Sequence, residues 1–556
     1  MADDSQIRDG SRQPAVIAYG LAALICLFGQ LGAIGLVGPD EPRYAWIARA
    51  MAETGDWVTP RLYGQPWFEK PILYYWFAAV GFRLHLPPEW AARLPSAFAA
   101  LAAALALGWL GRKHYHDDGH LERNPALLAP LLFATSLAAI GFARAATPDM
   151  LFSALIALTM ASAACVLRYA GALRSMHTVP AVRVGDSAAL LLFGLFLGLA
   201  VLAKGPAAVV LAGGALLLWA LATRQWRAAL RLMHPCAIAA FCAVAVPWYT
   251  VCTLRNPDFL RVFIFQHNFE RYLTPLFQHR QPFWFFGPII LVALLPWTIL
   301  LWPVAQEGVR LWREQSWHKS PGFFFFCWSI FPVLFFSFSQ SKLPGYILPA
   351  IPPLTLLCAV AVARATEWKQ PAVAFIGCSI ALTWLGVGGF ALLAARRVPW
   401  ANHDSGTQLI SHTGYAMLLL IAMVALFAPV AGFRRKPEYV IAVCTLCVLA
   451  TVECTNMFAL PTLDKFVSAR PHAEFLRNDR RPDRIFTYHL RRGWNWGLAF
   501  YFHRELPEWS PSDPDAALVL TTQGGLEEIH RLGRFRGEMD EPYAGVLYVP
   551  INQAPR

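Results

Sequence analysis

Charged residues in this chain gather in short clusters, and the stretches between them are long and apolar. Crossing a bilayer takes about 20 largely apolar residues in a helix. Pro14 to Leu36 is one such stretch, with no Asp, Glu, Lys or Arg in it. Apolar runs bounded by charge predict about thirteen spans, at 14–36, 91–110, 125–142, 149–167, 187–204, 206–222, 233–253, 283–304, 321–338, 346–363, 371–392, 409–430 and 438–455. Alternate loops carry Arg112, Lys113 and Arg123; Arg168, Arg174 and Arg183; Arg224, Arg227 and Arg231; Arg310, Arg313 and Lys319; Arg364 and Lys369; and Arg434, Arg435 and Lys436. Short loops rich in Lys and Arg stay cytoplasmic. An odd number of spans then puts the N-terminus inside and the C-terminus outside.

The outer face receives two long loops, 37–90 and 254–282, and the tail. In the first loop, Arg43 to Met51 reads as an amphipathic helix, and so does Phe259 to Tyr272 in the second. Helices of this kind lie in the membrane interface. From about 457 the pattern changes. Asp464 to Asn478 and Gly524 to Leu532 read as helices. The runs 484–489, 498–502, 517–521 and 546–550 read as short strands. The expected architecture is an α-helical polytopic membrane domain, 1–456, followed by a small soluble α/β domain, 457–556.

Composition agrees with this reading. The 556 residues are 56% hydrophobic and 15% charged, against roughly 25% charged in soluble domains. The first apolar run exceeds the roughly 7–15 residues of a signal-peptide core, so it is expected to be a retained helix. The net charge of +12 lies mainly in short loops rather than on one face, which fits topology and gives no reason to expect a nucleic-acid partner. The eleven cysteines all precede Asp464, without zinc-site spacing, and read as small apolar residues between helices.

Five polar groups fall on the predicted outer face. Gly38-Pro39-Asp40-Glu41-Pro42-Arg43-Tyr44 opens the first loop, where Asp40 could cap a helix, face a site, or do both. Trp67 to Trp76 contains Glu69, Lys70 and Tyr74; here Lys70 could bind phosphate or snorkel as an anchor. The third group runs from Arg144 to Asp149. The fourth is Ala203-Lys204-Gly205-Pro206, and the fifth, Ser339 to Pro349, contains Lys342 and Tyr346. One cavity could hold phosphates with these cations and a sugar with the carboxylates. Glu69 with His267 could form part of a zinc site if the two outer loops meet, or His267 could be an interfacial residue. No HExxH or acid-rich magnesium motif appears.

Those groups carry a resemblance. "GPDEPRYAWIARAM" resembles the first periplasmic loop of the GT-C glycosyltransferases of the protein O-mannosyltransferase superfamily. "WFEKPILYYW", "TPDM", "VLAKGPAA" and "FSQSKLPGYILPAIPPL" follow in the order and spacing of its lipid A aminoarabinose transferase branch. The likeness spans about 14 to 455. It implies a GT-C fold in a bacterial inner membrane, with a periplasmic site. The implied donor is a sugar on undecaprenyl phosphate, the acceptor a lipid A phosphate, and the reaction an inverting transfer of 4-amino-4-deoxy-L-arabinose that confers polymyxin resistance. The family's loop aspartate falls on Asp40 and its second acid on Asp149. Its phosphate-binding cations fall on Arg43, Lys70 and Lys342. Glu41, Tyr44, Glu69, Tyr74, Lys204 and Tyr346 complete the expected substrate contacts. Pro42 departs from the usual small residue there and favours capping at Asp40.

Transfer between two phosphates conserves much of the donor bond energy, so no nucleotide is expected and no cofactor is required, with zinc the one open possibility. Asp40 could orient the acceptor, act as a base, or hold the sugar's ammonium. Two other readings stay open. One is a related polyprenyl-phosphate-dependent enzyme with another sugar or a protein acceptor. The other is a lipid transporter, which would favour inverted repeats and midplane charges over charges gathered at one face.

Overall fold

A computed structural model describes residues 16–115, 124–167, 184–270, 272, 281–364, 374–386, 423, 424, 427, 437–478, 484–512, 518–535 and 546–551. Among them, six helices are long and apolar enough to cross a membrane: Pro88–His114, Pro148–Leu167, Asp186–Lys204, Pro235–Arg255, Pro344–Ala363 and Tyr439–Val467. Four shorter apolar helices, Val16–Phe28, Ala207–Thr223, Pro321–Ser337 and Ala374–Gly386, stand at other expected spans. The run 409–430 lies almost wholly outside the described residues, as do the basic clusters at 168–183 and 434–436. Leu105, Leu221, Leu254, Leu382 and Leu446 are exposed large apolar side chains, as expected of a lipid-facing surface. Helices approach closely where glycine permits. A Cβ on Gly194 would collide with the carbonyl of Ala237 across the helix pair.

Two expected spans are broken. The run 125–142 forms Pro125–Ala134 and Leu137–Ala143, bent by 61°. The break follows from Ser136, whose Oγ accepts from the Ala139 N–H and starts a new helix. The run 283–304 is Phe283–Ala293 and Trp297–Arg313, bent by 110° around Pro296. Proline supplies no N–H and turns the preceding residue away from helix.

The helix Asp40–Thr54 forms as expected and packs one face against the protein. Pro42, Ala45, Ile47, Ala48 and Met51 are buried. A short hairpin, β1 (Arg61–Leu62) against β2 (Gln65–Pro66), then returns the chain to it.

In the tail, β3 (Ile485–Tyr488) runs parallel to β4 (Leu518–Thr521), with Ile485 opposite Leu518. β4 is antiparallel to β5 (Leu547–Pro550), with Leu518 opposite Pro550. The helix Gln523–Arg531 forms where one was expected. Residues 498–502 were expected as a strand and are instead the end of the helix Arg492–Phe502. Five apolar residues fit either period, and the helix begins upstream, in Arg492 to Trp496. The segment 464–478 is two helices, Leu460–Val467 and Arg470–Asn478.

The edge expected near 457 is not a gap. The helix Pro437–Cys454 runs through a π-helical turn, Thr455–Ala459, into Leu460–Val467. Leu498 and Phe500 belong to the same buried apolar cluster as Leu36 and Ala92. The joint is also polar. The Gly35 N–H donates to Asp464 at 2.7 Å and the Leu36 N–H to Tyr501 Oη at 2.9 Å. Arg470 donates to the carbonyl of Gly32 at 3.0 Å and pairs with Glu89 and Asp464.

Candidate active site

The site begins at a sharp turn. Gly38 has φ +66°, a conformation that disfavours residues with a Cβ. Pro39 then stands at the N-cap, and the helix starts at Asp40. The expected cap at Asp40 is therefore not made: no side chain caps this helix. Asp40 points instead to Arg43, one turn on, whose Nη2 donates to its Oδ1 at 2.5 Å. The Asp40 side chain keeps 55% of its surface open, while Arg43 keeps 9%.

The hairpin carries Trp67 to Lys70 back against this turn. Arg43 Nη1 meets Glu69 Oε2 at 2.8 Å, and Lys70 Nζ meets Glu69 Oε1 at 3.2 Å. The result is an alternating row: Asp40, Arg43, Glu69, Lys70. The rings of Tyr44, Trp67 and Trp496 lie around the Arg43 guanidinium, with centroids 5.0, 5.6 and 4.9 Å away.

A second pair stands where two long helices end. Asp149 lies in the first turn of Pro148–Leu167, a favourable place for an anion. Lys204 ends its helix at Gly205, φ +85°, and its ammonium forms an ion pair with Asp149. The rings of Tyr346 and Phe152 stand 5.4 and 5.5 Å from that ammonium. Gly345 packs on Asp149 so closely that a Cβ would lie 3.3 Å from Oδ1. Lys70 is near enough to act electrostatically on both Asp40 and Asp149, so the row and the pair share one field. Although the side chain is open on one side, desolvation by the protein around it raises the Asp40 carboxyl above the usual aspartate range. Arg43 and Lys70 pull it back, while Glu69 and Asp149 push it further up. The Tyr44 phenol is pushed well up by burial and stays protonated.

Of the twelve expected site residues, Asp40, Arg43, Tyr44, Glu69, Lys70, Asp149, Lys204 and Tyr346 are gathered here. Three others are held by protein partners. Glu41, expected at the substrate, is buried: Arg93 grips it at 2.7 and 3.2 Å, and it accepts from the N–H groups of Val37 and Ala146 at 2.8 and 2.7 Å. Tyr74 is buried and donates to the Ala92 carbonyl at 2.7 Å. Lys342 is buried and donates to the carbonyls of Ser339 and Gln281 at 2.6 and 3.0 Å, which closes its own loop. Two of the three N–H donors of this buried ammonium are thus engaged, so a phosphate contact by Lys342 would need access to the third. His267 sits half-buried in the π-helical segment Arg261–Glu270. Glu69, its suggested partner on zinc, is held by Arg43 and Lys70. No three His, Cys, Asp or Glu side chains converge as a metal site among the described residues.

Sequence reasoning missed Arg93 and Trp496. Arg93 donates to the carbonyls of Leu31, Ile34 and Gly35 at 2.6 to 2.7 Å, besides gripping Glu41. A charge inside an apolar run was signal enough to find it. Trp496 lies in the tail, and no local pattern links it to Arg43.

The chain is similar to known proteins in sequence and in fold. Residues 23–263 match the family model for dolichyl-phosphate-mannose-protein mannosyltransferase. The undecaprenyl phosphate-α-4-amino-4-deoxy-L-arabinose arabinosyl transferase of Edwardsiella ictaluri is 30% identical over 397 residues, 70% of this chain and 68% of that protein. The protein of the same name from Erwinia tasmaniensis is 33% identical over 321 residues, 58% of this chain and 54% of its own length. The crystal structure of ArnT from Cupriavidus metallidurans bound to undecaprenyl phosphate superposes with a TM-score of 0.74 at 22% identity, covering 96% of this chain and 97% of that one. The two share a fold.

Proposed function

The chain belongs to the undecaprenyl phosphate-α-4-amino-4-deoxy-L-arabinose arabinosyl transferases, and we propose that it moves 4-amino-4-deoxy-L-arabinose from undecaprenyl phosphate to a phosphate of lipid A. The observation that carries the reading is the row Asp40–Arg43–Glu69–Lys70 beside the pair Lys204–Asp149. It is a place for two phosphates and one aminosugar. The bond from the anomeric carbon to the donor phosphate breaks, and that phosphate leaves with the electron pair. An oxygen of the acceptor phosphate forms the new bond from the opposite side, which inverts the centre. The acceptor oxygen is already anionic, so no proton has to be removed.

Lys70 and Lys204 supply positive charge for the leaving phosphate. Asp40, the open carboxylate of the row, holds the sugar's ammonium or orients the acceptor. Arg43 fixes Asp40 and Glu69 rather than meeting phosphate itself. With these cations in place, transfer is proposed to need neither nucleotide nor metal. Both substrates are lipids, and a site at the ends of spanning helices lets each keep its tails in the bilayer. The site and tail are assigned to the periplasmic face of the inner membrane, with the N-terminus in the cytoplasm. Support for thirteen crossings comes from the long spans, bent pairs and shorter apolar helices, together with the run 409–430.

The test is transfer in liposomes with lipid-linked aminoarabinose and lipid A, read by mass spectrometry. Lipid A heavier by one aminopentose is the expected product. No addition, or addition of that sugar only to a peptide, overturns the reading.

A further inference from the structure

We propose that Trp496 is a positioning residue of the transfer site, holding the Arg43 guanidinium between the carboxylates of Asp40 and Glu69. The proposal rests on the functional reading above. Arg43 reaches Asp40 with Nη2 and Glu69 with Nη1. Its Nε is buried and has no hydrogen-bond partner among the described residues. Two carboxylates and the surrounding rings therefore decide how the planar fork lies. Tyr44 and Trp67 belong to the loop that bears Arg43. Trp496 does not: it comes from the helix Arg492–Phe502 and is 4.9 Å from the guanidinium.

That helix is pressed on the turn itself. A Cβ on Gly493 would lie 3.1 Å from the carbonyl carbon of Gly38 and 3.4 Å from Pro39 N. Five residues after Trp496, Tyr501 accepts from the Leu36 N–H and donates to Glu89 at 2.8 Å. The tail thus delivers an aromatic ring to a defined place beside the site cation. A guanidinium stacks on an aromatic ring while its edge N–H groups remain free for carboxylates. Without Trp496, water reaches the fork, and Arg43 can leave one carboxylate for another rotamer. Asp40 would then lose the nearest charge that opposes its protonation. The other charged groups acting on it are Glu69, Lys70 and Asp149.

The experiment is a mutant cycle on the intact protein in liposomes: wild type, Trp496→Ala, Arg43→Lys, and both together. Trp496→Ala is expected to lower kcat about tenfold, to change the donor KM less than about twofold, and to raise the acid limb of kcat by about half a pH unit. Trp496→Phe should recover most of the loss. Trp496→Leu keeps bulk without the ring and should not; it also guards against misfolding of the alanine variant. In the Arg43→Lys background, Trp496→Ala should cost less than about twofold, because lysine has no planar fork for the ring to hold between two carboxylates. Equal losses in both backgrounds overturn the proposal. So does a loss explained by less folded enzyme at unchanged kcat and pH profile. If wild type transfers no aminoarabinose, the functional reading fails instead, and the same cycle is read on the binding of undecaprenyl phosphate. Non-additive binding losses then sustain Trp496 acting through Arg43, and additive losses reject it.

Discussion

Asp40 and Glu41 are adjacent, carry the same charge and each meet an arginine, yet one is open and the other sealed. Asp40 has Arg43 on one side and more than half its surface accessible. Glu41 is saturated by Arg93 and two backbone N–H groups, and both members of its pair are buried. The difference lies in what a carboxylate has left to offer. An anion whose lone pairs are all engaged fixes the protein around it. An anion with one partner and open surface can meet a substrate. Glu41 ties Val37, just before the Asp40 turn, to Ala146, just before the Asp149 helix. The sealed acid thereby sets where the open Asp40 and the Lys204-paired Asp149 stand.

Exchanging the two roles by mutation gives the largest effects. Glu41→Ala leaves Arg93 buried without its counter-charge, which typically costs about 3–5 kcal/mol. The expected outcome is loss of monodisperse protein or a large fall in Tm. A stable, active Glu41→Ala variant would break the comparison. Asp40→Asn should leave Tm nearly unchanged, since Asp40 caps nothing, and reduce transfer by about ten- to a hundredfold if it holds the ammonium. A loss approaching about 10⁴-fold, the scale of general-base catalysis, would contradict a transfer in which no proton is removed. Near wild-type transfer would move the search to Asp149.

Charge removal on the cationic side comes next. Lys70→Ala and Lys204→Ala should each lower transfer about tenfold or more at normal expression. Lys342→Ala should act chiefly on stability, by about 1–3 kcal/mol, through its two carbonyl partners. A selective loss of donor binding in Lys342→Ala would return it to the phosphate site.

Acid separates the two regions by different groups. His472, buried near Tyr548, has its pKa lowered to about 4 by burial. The unfolded chain therefore binds the extra proton first, and stability is lost as pH falls from the ordinary histidine value toward 4. From pH 6.5 to 5 the loss is about 1.5 kcal/mol. His472→Gln should flatten that slope in a thermal-unfolding series, while the acid limb of transfer set by Asp40 stays in place. The smallest effect expected is from chelation: EDTA should leave transfer unchanged, and an EDTA-sensitive, zinc-restored activity would refute metal independence.

Much of this was legible in the sequence because the bilayer enforces a simple code. Pro148–Leu167 and Pro235–Arg255 lie within two residues of the runs that predicted them. The candidate site was legible as short polar motifs, Asp40 to Tyr44 and Lys204-Gly205 at helix ends and Glu69-Lys70 in the bend before the helix Leu73–Arg83. What escaped was contact. Nothing local distinguishes Glu41 from Asp40; only Arg93, 52 positions on, does so. Tyr74 lies among interfacial aromatics, yet its hydroxyl turns inward to Ala92. The 498–502 run was too short for its period to separate helix from strand.

The joint between Gly32–Val37 and the segment 464–501 also bears on biosynthesis. The turn that presents Asp40 is made early on the ribosome, but Asp464, Arg470, Trp496 and Tyr501 emerge more than 400 residues later. Until they arrive, the backbone before Asp40 lacks the partners that fix it, and Arg43 lacks one of its rings. A nascent or truncated chain already in the membrane would therefore hold the reactive side chains without their alignment. Catalytic competence would switch on late, when the end of the chain docks on its beginning.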